Sequence, residues 1–326
     1  MQGRLREFDL LKGIGILLVI LGHIHIPSDL FCSLIYGVHM PLFFFVSGWF
    51  FRKRPIGEHL LHSLRQLLIP WAFFSMVLLV THWIINSVGM GNPVEALKNT
   101  FSKIDFLNEK CWVLYRVIWF FIGMFWVRLF YMISSYFLNG RLSGLISALL
   151  FGLGMILQYC HIEVPLFIDS ACTTVIFYHL GSYLSRKQWF SSINWQKGLV
   201  AAIAYVVIIF VWTPYTDLFQ NIYAVYMLPV TFAGITALYC ACRWMSHQQG
   251  IAADILEYIG RNSIIIFGLH GAILELLDIV LTKVACPTVA SFFIRFIVLV
   301  SLSLLIGSAI KRYCPVLIGQ KNGKQQ

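Results

Sequence analysis

The sequence predicts an all-α protein, a polytopic bundle of about ten membrane-spanning helices. Three observations predict it. Of 326 residues, 59% are hydrophobic and only 12% charged, with a mean hydropathy of +0.79. A chain this long and this poor in charge lacks the polar surface that a soluble domain exposes. Apolar stretches long enough to span a bilayer recur from end to end. Basic residues gather in alternate connections, the pattern that sets membrane orientation.

The stretches fall at about 9–26, 31–51, 66–88, 113–136, 142–160, 168–185, 197–213, 222–243, 257–280 and 289–312. No repeat, low-complexity run or separate soluble domain interrupts them, so residues 1–326 read as one transmembrane domain with a short polar tail from about 313. The first run is not read as a cleaved leader, because no small-x-small site follows it and equally apolar stretches continue. The connection at 89–112 is long enough for a short surface helix that caps a site. An even number of spans puts both termini on one side. Eighteen of the 24 Lys and Arg residues fall on that side, five on the other, and Arg295 lies inside the last span. Both termini are therefore expected in the cytoplasm. Asp29, Asp105, Glu109, Glu163, Asp169, Asp217, Glu275 and Asp278 gather towards the outer face.

The net charge of +10 follows this asymmetry and does not point to nucleic acid. Eight cysteines form no metal-spaced cluster, and Cys240-x-Cys242 is too short for the usual pair. They read as small buried hydrophobes, with a disulfide among the outermost left open.

Chemistry is concentrated in a few places. The first span carries Lys12 and His23, and an ionisable residue inside a membrane segment is a functional hypothesis by default. Their separation of eleven residues is close to three helical turns, so both project from one face, about 16 Å apart along the axis. His25 points the opposite way. The functional reading makes His23 a general base and Lys12 part of an anion site. The competing reading is a snorkelling lysine and a histidine bonded to a backbone carbonyl. Between the second and third spans lie Arg52, Lys53, Arg54, His59, His62 and Arg65, followed by Pro70. Part of this is ordinary cytoplasmic charge, but its density suits a polyanion held by charge-assisted bonds. His39 stands at the outer end of the second span, where it could assist His23 or bind an acceptor hydroxyl, and Pro41 opens the helix beyond it. Asp169, near Glu163 and His161, is the first choice for a carboxylate that orients the imidazole of His23. Asn262 and Ser263 would cap the ninth helix at its start, and His270 lies mid-span. There is no nucleophile elbow, zinc helix, phosphate-binding loop or dinucleotide fingerprint.

A basic residue, ten residues and a histidine in the first helix resemble the signature of the acyltransferase-3 family of integral membrane acyltransferases. HMPLFFFVSG (His39 to Gly48) is similar to its second block, especially in members like fucose 4-O-acetylases. Trp119-Phe120-Phe121 and IGRNSIIIFGLH (Ile259 to His270) resemble two later blocks. Arg65 stands where the family has the second arginine of an R-x-x-R pair, and His62 replaces the first. The resemblance implies an acetyl-CoA (acyl-CoA) donor reached from the cytoplasm and no metal. It implies a hydroxyl of a surface or lipid-linked glycan as acceptor and the inner membrane of a bacterium as the setting, with membrane lipid around the bundle. On this reading His23, Asp169 and His39 are catalytic, and Lys12, Arg65, Arg54, Lys53 and His62 hold the donor. His39, Trp119, His270 and Glu275 meet the acceptor. A proton-coupled transporter, or a glycan-binding membrane protein, is the alternative.

Overall fold

The computed structural model describes residues 5–24, 28–102, 112–162, 164–212, 227–284 and 287–320. Among them the regular structure is helical throughout. In chain order the α-helices are α1 Arg6–His23, α2 Asp29–Tyr36, α3 His39–Trp49, α4 Ile56–Ser63, α5 Ile69–Met90, α6 Pro93–Ser102 and α7 Trp112–Phe137. There follow α8 Gly140–Tyr159, α9 Ile168–Arg186, α10 Trp195–Trp212, α11 Met227–Ser246, α12 Ile251–Arg261, α13 Ser263–Lys283 and α14 Thr288–Tyr313.

Six helical segments among the described residues are long and apolar enough to cross a membrane: Asp29–Trp49, Ile56–Met90, Trp119–Phe137, Gly140–Tyr159, Ser263–Lys283 and Thr288–Tyr313. The chain is a multi-pass membrane protein. Helices α1, α9, α10 and α11 stand at the other four expected places. The apolar part of α10, Trp195–Val211, is slightly short. Helix α1 carries Arg6, Glu7, Asp9 and Lys12, and α9 carries buried Thr173, Thr174, His179 and Ser182. Polar groups of this kind lower hydropathy without preventing burial in a bundle, where partners can satisfy them.

Three expected elements differ in detail. The second span is two helices, α2 and α3, broken at Gly37–Val38. The third begins earlier, at Ile56, and a π turn at Leu64–Leu68 joins α4 to α5. The π turn has a local cause: Pro70 has no N–H to give to the carbonyl four residues back, and Ile69 N–H bonds instead to Leu64 O. The ninth is also two helices, α12 and α13, and Asn262 does not cap the second one. Its side-chain amide donates back to Tyr258 O at 2.7 Å, closing the end of α12. The connection after α5 does contain a short helix, α6, which packs on α5, and Trp83 Nε1 donates to Pro93 O at 3.0 Å. Cys111, Glu163 and Cys286 lie outside the described residues, as do His25 and much of the loop after α6.

The chain divides into two compact units. The first comprises residues 1–52, 138–155 and 173–263. Its core is built from Phe8, Leu10, Leu11, Leu42, Phe45, Phe190, Ile235 and Tyr239. Two helix crossings in it bring backbone against backbone. A methyl group at Gly260 would stand 1.8 Å from Asp9 O, where α1 crosses α12. Methyl groups at Gly48 and Gly181 would stand 2.0 Å from Tyr178 O and 2.1 Å from Phe45 O, where α3 crosses α9. Only glycine fits such an approach, and in membranes close approach is what dispersion and weak polar contacts require. The second unit comprises 53–137, 156–172 and 264–326. Its centre is aromatic: Phe121 stacks on Phe74 at 6.0 Å and meets Phe267 edge-on at 5.5 Å.

Candidate functional site

In the first unit, the break between α2 and α3 is the organising feature. Ending a helix at membrane depth frees carbonyls that lipid cannot satisfy. Here side chains take them up. Tyr205 on α10 donates to Leu34 O at 2.5 Å, Thr231 on α11 donates to Gly37 O at 2.7 Å, and His39 bonds through Nδ1 to Ile35 O at 2.9 Å. A carbonyl can only accept, so the neutral His39 ring carries its proton on Nδ1 and leaves Nε2 as a base. The ring is buried and sits edge-on to Tyr36, with centroids 4.9 Å apart. Tyr36 in turn donates its hydroxyl to Gly22 O at 2.9 Å, tying α2 to the last turn of α1.

His23 is the final residue of α1 and is half-buried. Tyr36 links it to His39: the Tyr36 ring meets the His39 ring, and the Tyr36 hydroxyl bonds to the carbonyl of Gly22, the residue before His23. The structure therefore brings together two of the expected residues, His23 and His39. It adds Tyr36, which no sequence pattern singles out.

Lys12 lies on the same helix, paired with Asp9 at 2.7 Å. Asp9 is buried and is also 3.6 Å from Arg261 on α12. Arg261 pairs with Glu257, and Arg6 bonds Glu257 at 2.8 Å and Asp254 at 2.5 Å. Lys12 is thus one cation of a network joining α1 to α12, with much of its charge balanced by Asp9.

In the second unit the basic cluster forms around the π turn. His59 is buried and feels the charges of Arg128, His62 and Arg54. Arg128, on α7, reaches Gln66 within the turn at 3.0 Å. Arg65 is exposed on the same turn, and its carbonyl receives the tight C-terminal bend at Gly319. Lys53 stands over the Tyr136 ring at 5.2 Å. Arg54, His62 and Arg128 thus surround His59, and Arg128 reaches the turn from 62 residues away in sequence.

The other expected residues are spread through the second unit. Asp169 is buried in the first turn of α9, beside Cys172, whereas His161 is exposed in a turn after α8. Asp169 and His23 belong to different units. Trp119 packs against Phe167 at 6.3 Å. His270 is fully enclosed, bonds through Nδ1 to Phe267 O at 2.7 Å and faces the Phe267 ring at 5.7 Å. Glu275 is 3.9 Å from His82 on α5, and Asp278 pairs with Arg295 on α14 at 2.7 Å. His179 was also unforeseen. It is buried on α9, and Gly144 of α8 leaves room for its ring, since a methyl group there would meet Nε2 at 2.9 Å.

Apolar helices of spanning length, with a buried imidazole at a helix break, define a multi-pass membrane protein with ionisable groups in its interior. Comparison with family models narrows the class. The model described as Acyltransferase domain, that of the acyltransferase-3 family, matches residues 5–312, and the chain belongs to that family. It is a membrane acyltransferase. No match was found among curated proteins or among solved structures.

Proposed function

We propose that the protein transfers an acetyl group from acetyl-CoA to a hydroxyl of a surface or lipid-linked glycan, in the manner of fucose 4-O-acetylases. The observation that carries this reading is that His23 and His39 flank Tyr36 at the helix break in the first unit of a chain that belongs to an acyltransferase family. His23 is the more accessible of the two and acts as general base. It takes the proton of the acceptor hydroxyl as that oxygen attacks the thioester carbonyl. The tetrahedral adduct collapses, the C–S bond breaks, and the imidazolium returns its proton to the leaving thiolate. The products are an O-acetyl ester and free coenzyme A. His39, its Nδ1 proton fixed by Ile35 O, presents Nε2 to the same region and steadies the proton on its neighbour. Asp169 is proposed as an additional carboxylate partner. Trp119, His270 and Glu275 belong to the acceptor side of the reading. Arg54, His62, Arg65, Lys53 and Lys12, joined by Arg128, supply positive charge for the donor's phosphates.

The setting proposed is a bacterial inner membrane with both termini in the cytoplasm, where the basic residues also lie. The test compares cells with the intact chain, without it, and with His23→Ala. Release of free thiol from acetyl-CoA by membranes and base-labile acetyl esters on extracted glycans are the two readouts. The expected result is loss of both in His23→Ala by at least about 10²-fold, the usual range for removing a general base. Undiminished transfer by that variant would refute the role of His23.

A further inference from the structure

Alongside the crossing of α10 and α11 in the first unit runs a groove of about 500 Å³ that the transfer chemistry above leaves unused. The two helices touch closely where one of them lacks a side chain. A methyl group at Gly198 would stand 2.5 Å from Cys240 Cβ, and one at Gly234 would stand 2.9 Å from the Tyr205 ring. On the flank of the pair, between those contacts, Ala201, Ala204 and Ala233 are too small to fill the space, and the groove results. Val200, 67% exposed, lies on its open side, and Trp189 and Phe232 wall it with ring centroids 5.1 Å apart.

Two features set the groove apart from plain lipid-facing surface. Among the described lining residues the one charged side chain is Lys197, beside Gln196 in the first turn of α10. Thr236, on α11, is 4% exposed, and its hydroxyl makes no hydrogen bond among the described residues. Helical threonines commonly give this hydroxyl to the carbonyl four residues back. Thr81 does so to Val77 O at 2.9 Å, and Thr100 to Ala96 O at 2.8 Å. A hydroxyl left unpaired in an apolar setting costs free energy, which an acceptor in the groove would recover. Rotation about χ1 is enough to turn the Thr236 hydroxyl to such an acceptor.

The spacing chooses the ligand. Gly198 meets Cys240, so Lys197 is level with the turn after Thr236, and Thr236 lies about 6 Å deeper, roughly one helical turn. A cation and an amide at the rim, a hydroxyl one turn deeper and apolar walls beyond follow the order of groups in a glycerophospholipid: phosphate, ester carbonyl, acyl chain. Trp195, 71% exposed at the start of α10, is of the type that sits at headgroup level. We propose that the groove binds an anionic phospholipid, its phosphate on Lys197, an ester carbonyl on the Thr236 hydroxyl and one acyl chain along Ala201, Ala204 and Ala233. The lipid belongs to the leaflet that meets the first turn of α10. It braces α10 against α11, the helices whose Tyr205 and Thr231 satisfy the break at Gly37.

The test uses the full chain in mild detergent, with phosphatidylglycerol carrying a photoreactive diazirine on one acyl chain as probe. Crosslinks should saturate and map to α10 and α11. Unlabelled phosphatidylglycerol should compete about tenfold better than phosphatidylcholine, whose own cation offsets its phosphate, the loss of one bond to a charged group. Lys197→Gln should abolish that preference. The diether analogue, which has no ester carbonyl, should compete about fivefold less well than the diester, the worth of one ordinary hydrogen bond. Thr236→Val, nearly isosteric, should bind diester and diether equally. The comparisons between lipids need no variant. Crosslinks that spread over other helices without saturating are ordinary bilayer contact and overturn the site. Equal competition by the two headgroups overturns the phosphate contact, and equal competition by diester and diether overturns the Thr236 contact. Stronger competition by a polyprenyl phosphate, which has a phosphate and no ester, overturns the assignment to phospholipid.

Discussion

At the scale of single residues, the chain's polar groups are placed by partners far away in sequence. Lys12 and His23 were legible because a fixed helical spacing puts both on one face. Asp9 was not: in the first turn of a helix an acid looks like ordinary dipole compensation. Its burial depends on α12, about 250 residues later; Arg6 and Glu257, which bond across the same pair of helices, are 251 residues apart. This geometry makes the Lys12–Asp9 pair asymmetric. The side chain of Asp9 is 4% exposed, that of Lys12 is 28% exposed, and that of Arg261 45%. Lys12→Met therefore leaves a buried carboxylate with only the longer Arg261 ion pair of the two, whereas Asp9→Asn frees two cations that can reach water. Lys12→Met should lower stability by about 1–3 kcal/mol and Asp9→Asn by less, below the range for fully buried pairs because of that exposure. Thermal melting in detergent reads the order, and the reverse order would contradict the placement of Asp9. His39→Asn separates support from chemistry. Asparagine keeps an N–H near Nδ1 for Ile35 O but has no Nε2 base. Melting should stay within about 1 kcal/mol of wild type, while transfer falls about 10²-fold. Full activity would assign His39 to support alone.

At the scale of elements, the apolar runs located the helices, and Pro41 marked the opening of α3. The break ahead of it was less legible, because hydropathy continues across Gly37 without a dip. What makes a break tolerable there is the supply of Tyr205 and Thr231 from α10 and α11, which no local pattern announces. The same holds for Arg128 at the π turn: Pro70 could be read as a disturbance, but not which helix would answer it. Crossings are also invisible until both helices are in place. Gly260 shows how tight they are. Gly260→Ala would drive a methyl group into Asp9 O, 1.8 Å from its ideal position, and no rotamer relieves a clash with backbone. The cost should exceed about 3 kcal/mol, the top of the usual range for overpacking. Gly57→Ala, with open space around it, should change little. Comparable yields and melting temperatures for the two variants would refute the crossing.

At the scale of the whole molecule, composition alone identified a polytopic membrane protein, and the family match over residues 5–312 agrees with the ordered blocks read from the sequence. Hydropathy could not say which helices lie inside the bundle. Helices α1 and α9 carry buried polar groups, Asp9 on the first and Asp169, Thr173, Thr174, His179 and Ser182 on the second, and for that reason they look least like membrane spans. The excess of basic residues in one set of connections makes orientation testable. A fluorescent protein fused after Gln326 should fluoresce, and an exported phosphatase fused there should stay inactive. The opposite pair of results would reverse the bundle and remove a cytoplasmic donor from reach of the basic cluster. The break at Gly37 also bears on how the protein is made. Its freed carbonyls wait for Tyr205 and Thr231, 171 and 194 residues further along the chain. At about 5–20 residues per second, the ribosome needs on the order of ten seconds or more to deliver them. During that interval α2 and α3 are an incomplete pair, and the break that carries His39 is fully satisfied only when α10 and α11 arrive.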